Sequence, residues 1–121
     1  MKILIVDDDK IFCELLAEIL LEKGHRVDWT THGLEAYKLS LRSHYDLFVF
    51  DVRMPFIMGT ELADGLREQS PGTKIILISA FADETLQNTA ERLGVPLLSK
   101  PFTREKFLDL VMKTTGLTGS S

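Results

Sequence analysis

A chain of 121 residues is long enough to enclose one hydrophobic core and too short for two. Its 45% hydrophobic and 26% charged residues are the balance of a packed globular protein, which excludes disordered and fibrous classes. The net charge of -4, with no clustering of lysines and arginines, argues against direct nucleic-acid binding. No apolar run approaches the roughly 20 residues of a membrane-spanning helix. Met1 to Val6 runs straight into acids without cleavage-like small residues, so a cytoplasmic chain with no membrane partner is expected. Cys13 is the only cysteine, which excludes an internal disulfide and thiolate metal sites and leaves an inert helix residue.

In chain order, Lys2 to Val6 is a short β-branched apolar run, and Asp46 to Phe50 and Lys74 to Ile78 repeat it. Continuous apolarity of that length suits strands buried on both faces of a parallel sheet. A helical stripe follows the first run at Phe12, Leu15, Leu16, Ile19 and Leu20, and Gly24 closes it before a second strand, Arg26 to Thr30. Gly33 introduces a second helix over Leu34 to Leu41. Gly59 precedes a third helix striped by Leu62, Ala63 and Leu66. Asp83 or Thr85 caps a fourth that ends near Leu93-Gly94. A fifth strand, Val95 to Leu98, leads through Lys100-Pro101 to a last helix with Thr103 as N-cap. Five βα units predict an α/β fold, a doubly wound five-stranded parallel sheet with right-handed crossovers. The domain is expected to span 1–115, with 116–121 a flexible tail, a linker or a vector-derived scar.

In such sheets functional groups collect at the carboxyl ends of the strands. Asp7, Asp8 and Asp9 follow the first strand, Asp51 the third, Ser79 the fourth and Lys100 the fifth. Carboxylates brought together are relieved by a raised pKa or a bound cation, and magnesium favours carboxylate oxygen. Taken singly, the acid run serves equally as an N-cap with helix-dipole acids, Ser79 as a turn residue and Lys100 as a solvated lysine. Their joint occurrence at successive strand ends points to chemistry.

Ile3-Leu4-Ile5-Val6-Asp7-Asp8-Asp9, Asp51-Val52-Arg53-Met54-Pro55 with Gly59, Ser79-Ala80 and Lys100-Pro101-Phe102 together resemble the response-regulator receiver family of two-component signalling. The resemblance runs from Lys2 to about Thr115. It implies a flavodoxin-like (βα)5 fold with strand order 2-1-3-4-5. By the same resemblance Asp51 is the nucleophile that takes a phosphoryl group from a phosphohistidine on a sensor histidine kinase or phosphotransfer protein. Asp8 and Asp51 ligate Mg2+ with the backbone carbonyl of Arg53, and Asp7 acts closely or through water. Lys100 adds a second positive charge, its bond to Pro101 being cis, and Ser79 is the switch hydroxyl. The signal then passes to the helix 4, strand 5 and helix 5 surface, which controls an output domain or separate target, and which leaves homodimerisation open. The resemblance implies a signalling phosphoacceptor and not an enzyme, with only self-directed phosphotransfer and autodephosphorylation. Helix 1 should dock the donor through Ile11 and Phe12, although Phe12 fits the core stripe equally well.

The chain departs from the family pattern in two places. Leu97 replaces the aromatic expected three residues before Lys100, so the usual aromatic coupling is not expected: the leucine can still repack, and Phe102 or Phe81 can assume part of the role. Phe56-Ile57-Met58 makes the loop before Gly59 unusually apolar, either a contact patch or a cover folded over the core. His25, His32 and His44 are expected to face solvent away from the functional edge, and Trp29 to cover the edge near strand 2. A haloacid-dehalogenase-type phosphatase needs a second aspartate two residues after the nucleophile, where this chain has Arg53. A flavodoxin-type binder would meet repelling acids, and no Walker or dinucleotide glycine loop is present. A degenerate receiver that signals by contact without phosphorylation is the remaining alternative, supported by Leu97 and the apolar loop.

Overall fold

The computed structural model describes residues 1–116. Its elements alternate strictly: β1 (Lys2–Val6), α1 (Lys10–Glu22), β2 (Arg26–Thr30), α2 (Gly33–Arg42), β3 (Leu47–Asp51), α3 (Gly59–Gln69), β4 (Ile75–Ser79), α4 (Glu84–Leu93), β5 (Leu97–Ser99) and α5 (Arg104–Thr115). The five strands form one parallel sheet in the order β2-β1-β3-β4-β5, as the resemblance implied.

Side chains alternate across each strand, so the continuous apolar runs feed two cores at once. Leu4, Val6, Phe48, Phe50 and Leu77 join Ala36, Leu62, Ala63 and Ala90 on the α2, α3 and α4 side. Ile3, Ile5, Val49 and Ile76 join Cys13, Leu16, Leu20, Phe107 and Val111 on the α1 and α5 side. Trp29 lies half-buried on the edge strand β2 and packs with the second set. No helix of the described residues is long and apolar enough to cross a membrane.

The boundaries differ from expectation where backbone bonding decides them. The fifth strand begins at Leu97 and not Val95, because the Val95 N–H bonds to Ala90 O (3.0 Å) and Pro96 has none to offer. Asp83, and not Thr85, caps α4 by accepting the Leu86 N–H at 2.9 Å. Thr103 caps α5 through the Lys106 N–H at 3.0 Å, and the Lys100-Pro101 bond is cis. Gly116 is the left-handed C-cap of α5, and the remainder of the expected tail lies outside the described residues.

Cys13 is fully buried, and its thiol donates to Asp7 O at 3.2 Å. Burial, then the charge of Asp7, push its pKa up to about 11. The folded thiol is therefore expected to resist iodoacetamide at pH 8 while the urea-unfolded chain alkylates readily. Equal rates in the two states would contradict this placement.

Candidate functional site

The carboxyl ends of β1, β3, β4 and β5 bring together the residues that the sequence singles out. Asp7, Asp51 and Ser79 are buried at 2%, 8% and 1% exposure, while Asp8 is open to solvent. Carboxylate oxygens of Asp7, Asp8 and Asp51 all lie within 4.8 Å of one another. The two readings of the acid run divide by residue. Asp9 is the N-cap of α1, accepting the Ile11 N–H at 3.0 Å and the Phe12 N–H at 3.3 Å. Asp7 and Asp8 turn instead toward Asp51.

Each oxygen of Asp7 has a donor: Oδ1 accepts the Asp9 N–H at 2.9 Å, and Oδ2 accepts the Lys100 ammonium at 3.1 Å. Lys100 Nζ also stands 3.9 Å from Asp51 Oδ1. Burial, then the neighbouring Asp7 charge, raise the Asp51 pKa from 3.8 to about 7, against the opposing pull of Lys100. Asp7 is also raised, mainly by burial, with the Asp9 N–H and Lys100 working the other way. The cluster thus holds more negative charge than it accommodates unaided.

Magnesium fits this donor set. Ligand oxygens about 2.1 Å from the ion stand roughly 3–4 Å apart in an octahedron, a spacing that these carboxylates nearly meet. Three carboxylates against one ammonium leave an excess negative charge that a divalent cation matches, and Asp8 keeps one side open to water.

Ser79 Oγ accepts the Phe81 N–H at 3.0 Å and so turns the loop after β4, while Ser79 O accepts the Lys100 N–H at 2.8 Å and ties the end of β5 to the end of β4. The Arg53 guanidinium lies over the exposed Phe81 ring, 5.4 Å from its centre, joining the loops after β3 and β4. Leu97 is half-buried and packs against the α2, α3 and α4 core. The apolar loop also divides. Phe56 is 98% exposed with a φ of 71°, whereas Ile57 packs down on the core.

Ile11 is 78% exposed on α1, close in sequence to the acids. Phe12 is half-buried, but its ring meets the site as well as the core: Lys100 Nζ stands 4.2 Å from its centre. That contact was not visible in the sequence, where Phe12 and Lys100 lie on the first helix and after the last strand. The histidine expectation needs correction in part. His32 faces solvent at the N-cap of α2, as expected, but borders a cavity with Asp8 and Phe56 on the functional edge, and His25 is half-buried beside Met1. His44 is exposed next to Asp46, as expected.

Residues 3–112 match the family model described as response regulator receiver domain. A response regulator receiver protein of Anaeromyxobacter sp. strain Fw109-5 is 38% identical over 88% of this chain and 45% of its own length. The transcriptional regulatory protein CusR of Escherichia coli K12 is 35% identical over 84% of this chain and 45% of its own length. The chain thus spans about half the length of these curated relatives. Among solved structures, the response regulator TrrA of Thermotoga maritima, in complex with Mg2+-BeF, is similar with a TM-score of 0.86 and 33% identity. It covers 93% of this chain and 97% of that one. A CheY-like receiver domain of Methanospirillum hungatei gives a TM-score of 0.90 at 25% identity, over 95% of this chain and 93% of its own. A match that begins in β1 and ends in α5, on a sheet wound in the same order, leaves no part of the fold unaccounted for: the chain belongs to the response regulator receiver domain family of two-component systems.

Proposed function

We propose that residues 1–115 form a phosphoacceptor domain that takes a phosphoryl group from a phosphohistidine onto Asp51. The observation that carries this reading is the placement of Asp51 Oδ1 within 3.9 Å of the Lys100 ammonium and among the carboxylates of Asp7 and Asp8. In the transfer, a carboxylate oxygen of Asp51 attacks phosphorus, the phosphorus–nitrogen bond breaks, and the imidazole leaves as the acyl phosphate forms. When bound by Asp8, Asp51 and the Arg53 backbone carbonyl, with Asp7 close by or linked through water, Mg2+ supplies positive charge to the transferring oxygens. Lys100, 3.9 Å from Asp51 Oδ1, would supply a second positive charge.

Ser79 then acts as the switch. Its oxygen already accepts the Phe81 N–H, which leaves the hydroxyl proton free to donate to a phosphoryl oxygen. Movement of Ser79 would carry Phe81 and the start of α4 with it, and so bias the α4, β5 and α5 surface toward its signalling arrangement. That surface addresses an attached output domain or a separate target. The donor is a sensor histidine kinase or histidine phosphotransfer protein of the cytoplasm, docked on α1 through exposed Ile11. The domain's catalysis is confined to its own phosphorylation and dephosphorylation.

The test is incubation with acetyl phosphate and Mg2+ followed by intact-mass measurement. The expected result is a phosphoryl adduct that is absent from Asp51→Asn and suppressed by a chelator. No adduct in a wild-type protein that still binds Mg2+ would replace this reading with a receiver that signals by contact alone.

A further inference from the structure

The position of Lys100 is less secure than its ion pair with Asp7 suggests. A lysine ammonium ends a flexible four-carbon stem and acts as a point charge, so one carboxylate 3.1 Å away sets its distance and not its direction. The same bond holds it toward Asp7, 3.9 Å from the oxygen of Asp51 where new charge would arrive. A second support is needed that attracts the cation without fixing it to one oxygen.

Phe12 has the geometry for that support. The Lys100 ammonium stands 4.2 Å from the centre of its ring, well inside the range of a cation–π contact. The ring itself is held at several points. Its backbone N–H is bonded by the Asp9 cap, and the ring meets Phe102 in a T-shaped contact at 5.9 Å and 77°. Phe102 in turn stacks on the fully buried Phe107 at 5.8 Å. An aromatic ladder rooted in the core therefore ends at the Lys100 ammonium. Because a ring face attracts charge over a broad area, Lys100 can shift from Asp7 toward Asp51 without losing it.

We infer that Phe12 is a positioning residue for phosphoryl transfer: the face of its ring holds the Lys100 ammonium beside the carboxylates, within reach of the group arriving at Asp51. The inference rests on the phosphoacceptor reading of Asp51. It also divides the work on α1, leaving Ile11 to the donor and Phe12 to the lysine.

Initial rates of adduct formation with acetyl phosphate and Mg2+, followed by intact mass on the full chain, test it. Phe12→Leu keeps apolar volume but loses the ring, and should slow the reaction about three- to tenfold. Phe12→Trp should recover most of the rate, since a groove of about 500 Å3 bordered by Leu15, Ile19 and Pro101 leaves room for an indole. In a Lys100→Ala background, Phe12→Leu should cost nothing further. The Lys100 ε-proton resonances should be shifted upfield by the ring in wild type, and the shift should vanish in Phe12→Leu. Wild-type rates in Phe12→Leu, no recovery in Phe12→Trp, or an undiminished loss in the Lys100→Ala background would each overturn the inference. An adduct in wild type without the upfield shift would overturn the positioning role alone. A wild-type chain that forms no adduct would overturn the phosphoacceptor reading and this role with it.

Discussion

Asp51→Asn is expected to make the metal-free protein more stable at pH 8, by about 2–4 kcal/mol, while abolishing the phosphoryl adduct. Asp51 ionises near pH 7 in the fold and near 3.8 when exposed, because it is buried beside Asp7. The folded state therefore binds its proton more tightly than the unfolded state does. Below about pH 4 both states hold the proton and the carboxyl group costs nothing. As pH rises from about 4 to 7 the unfolded chain releases its proton first, so the stability of the fold declines, and above pH 7 the full penalty is present. An asparagine amide carries no charge to bury, and its benefit should grow over that window. In thermal unfolding with a chelator present, the variant should melt about 10 °C above wild type at pH 8 and at nearly the same temperature at pH 4. Adding Mg2+ should raise the wild-type midpoint more at pH 8 than at pH 5, where protons compete for the same oxygens, and should raise the variant less. A variant no more stable than wild type at pH 8, or equally advantaged at pH 4, would show that Asp51 is not held against its charge.

Stability is thus given up at the position where reactivity is wanted. A carboxylate dispersed in water would be comfortable and unreactive, whereas one crowded by Asp7 and half-neutralised by Lys100 gains from any cation or transferring group that comes to it. The crowding is itself a consequence of topology, since parallel strands β1 and β3 are neighbours and end at the same edge.

The fold was legible in the sequence because two-sided burial writes itself as unbroken apolar runs. Ile3 to Val6, Leu47 to Phe50 and Ile75 to Ile78 are such runs, and the helical stripes between them are long enough to distinguish. The short fifth strand was misplaced by two residues because Val95 is apolar, yet its N–H had already been claimed by the end of α4. Asp7, Asp8, Asp51, Ser79 and Lys100 were legible as a set from their places after successive strands. What each does next to the others was not. That Asp9 caps the helix while Asp8 stays free depends on a turn geometry no composition encodes. The meeting of Phe12 with Lys100 depends on the packing of α1 against the turn after β5. His32 was set aside because a lone histidine after an edge strand carries no pattern.

Gly59→Ala is expected to be the most damaging single methyl on the scaffold of the site. A Cβ at this position would fall 2.2 Å from Asp51 O, 3.0 Å from Asp51 C and 3.1 Å from Val52 Cα. All three are backbone atoms of the strand end that presents the nucleophile, so no flexible side chain can move aside. The Gly59 N–H also bonds to Val52 O at 2.8 Å, which holds the first turn of α3 against that strand end. Either α3 retreats and opens the packing of Leu62, Ala63 and Leu66, or the Asp51 peptide rotates and takes its carboxylate out of the cluster. The loss should be about 2–4 kcal/mol by urea denaturation, with slower adduct formation in whatever remains folded. Gly65→Ala, on the same helix with nothing within 4 Å of its Cβ, is the matched comparison and should gain up to about 1 kcal/mol. At Gly33 the clashing atom is the Ile57 side chain at 2.2 Å, so an alanine there should cost less than at Gly59, because a side chain can yield where a strand cannot. Wild-type stability in Gly59→Ala would mean that α3 sits farther from the Asp51 peptide than this geometry requires.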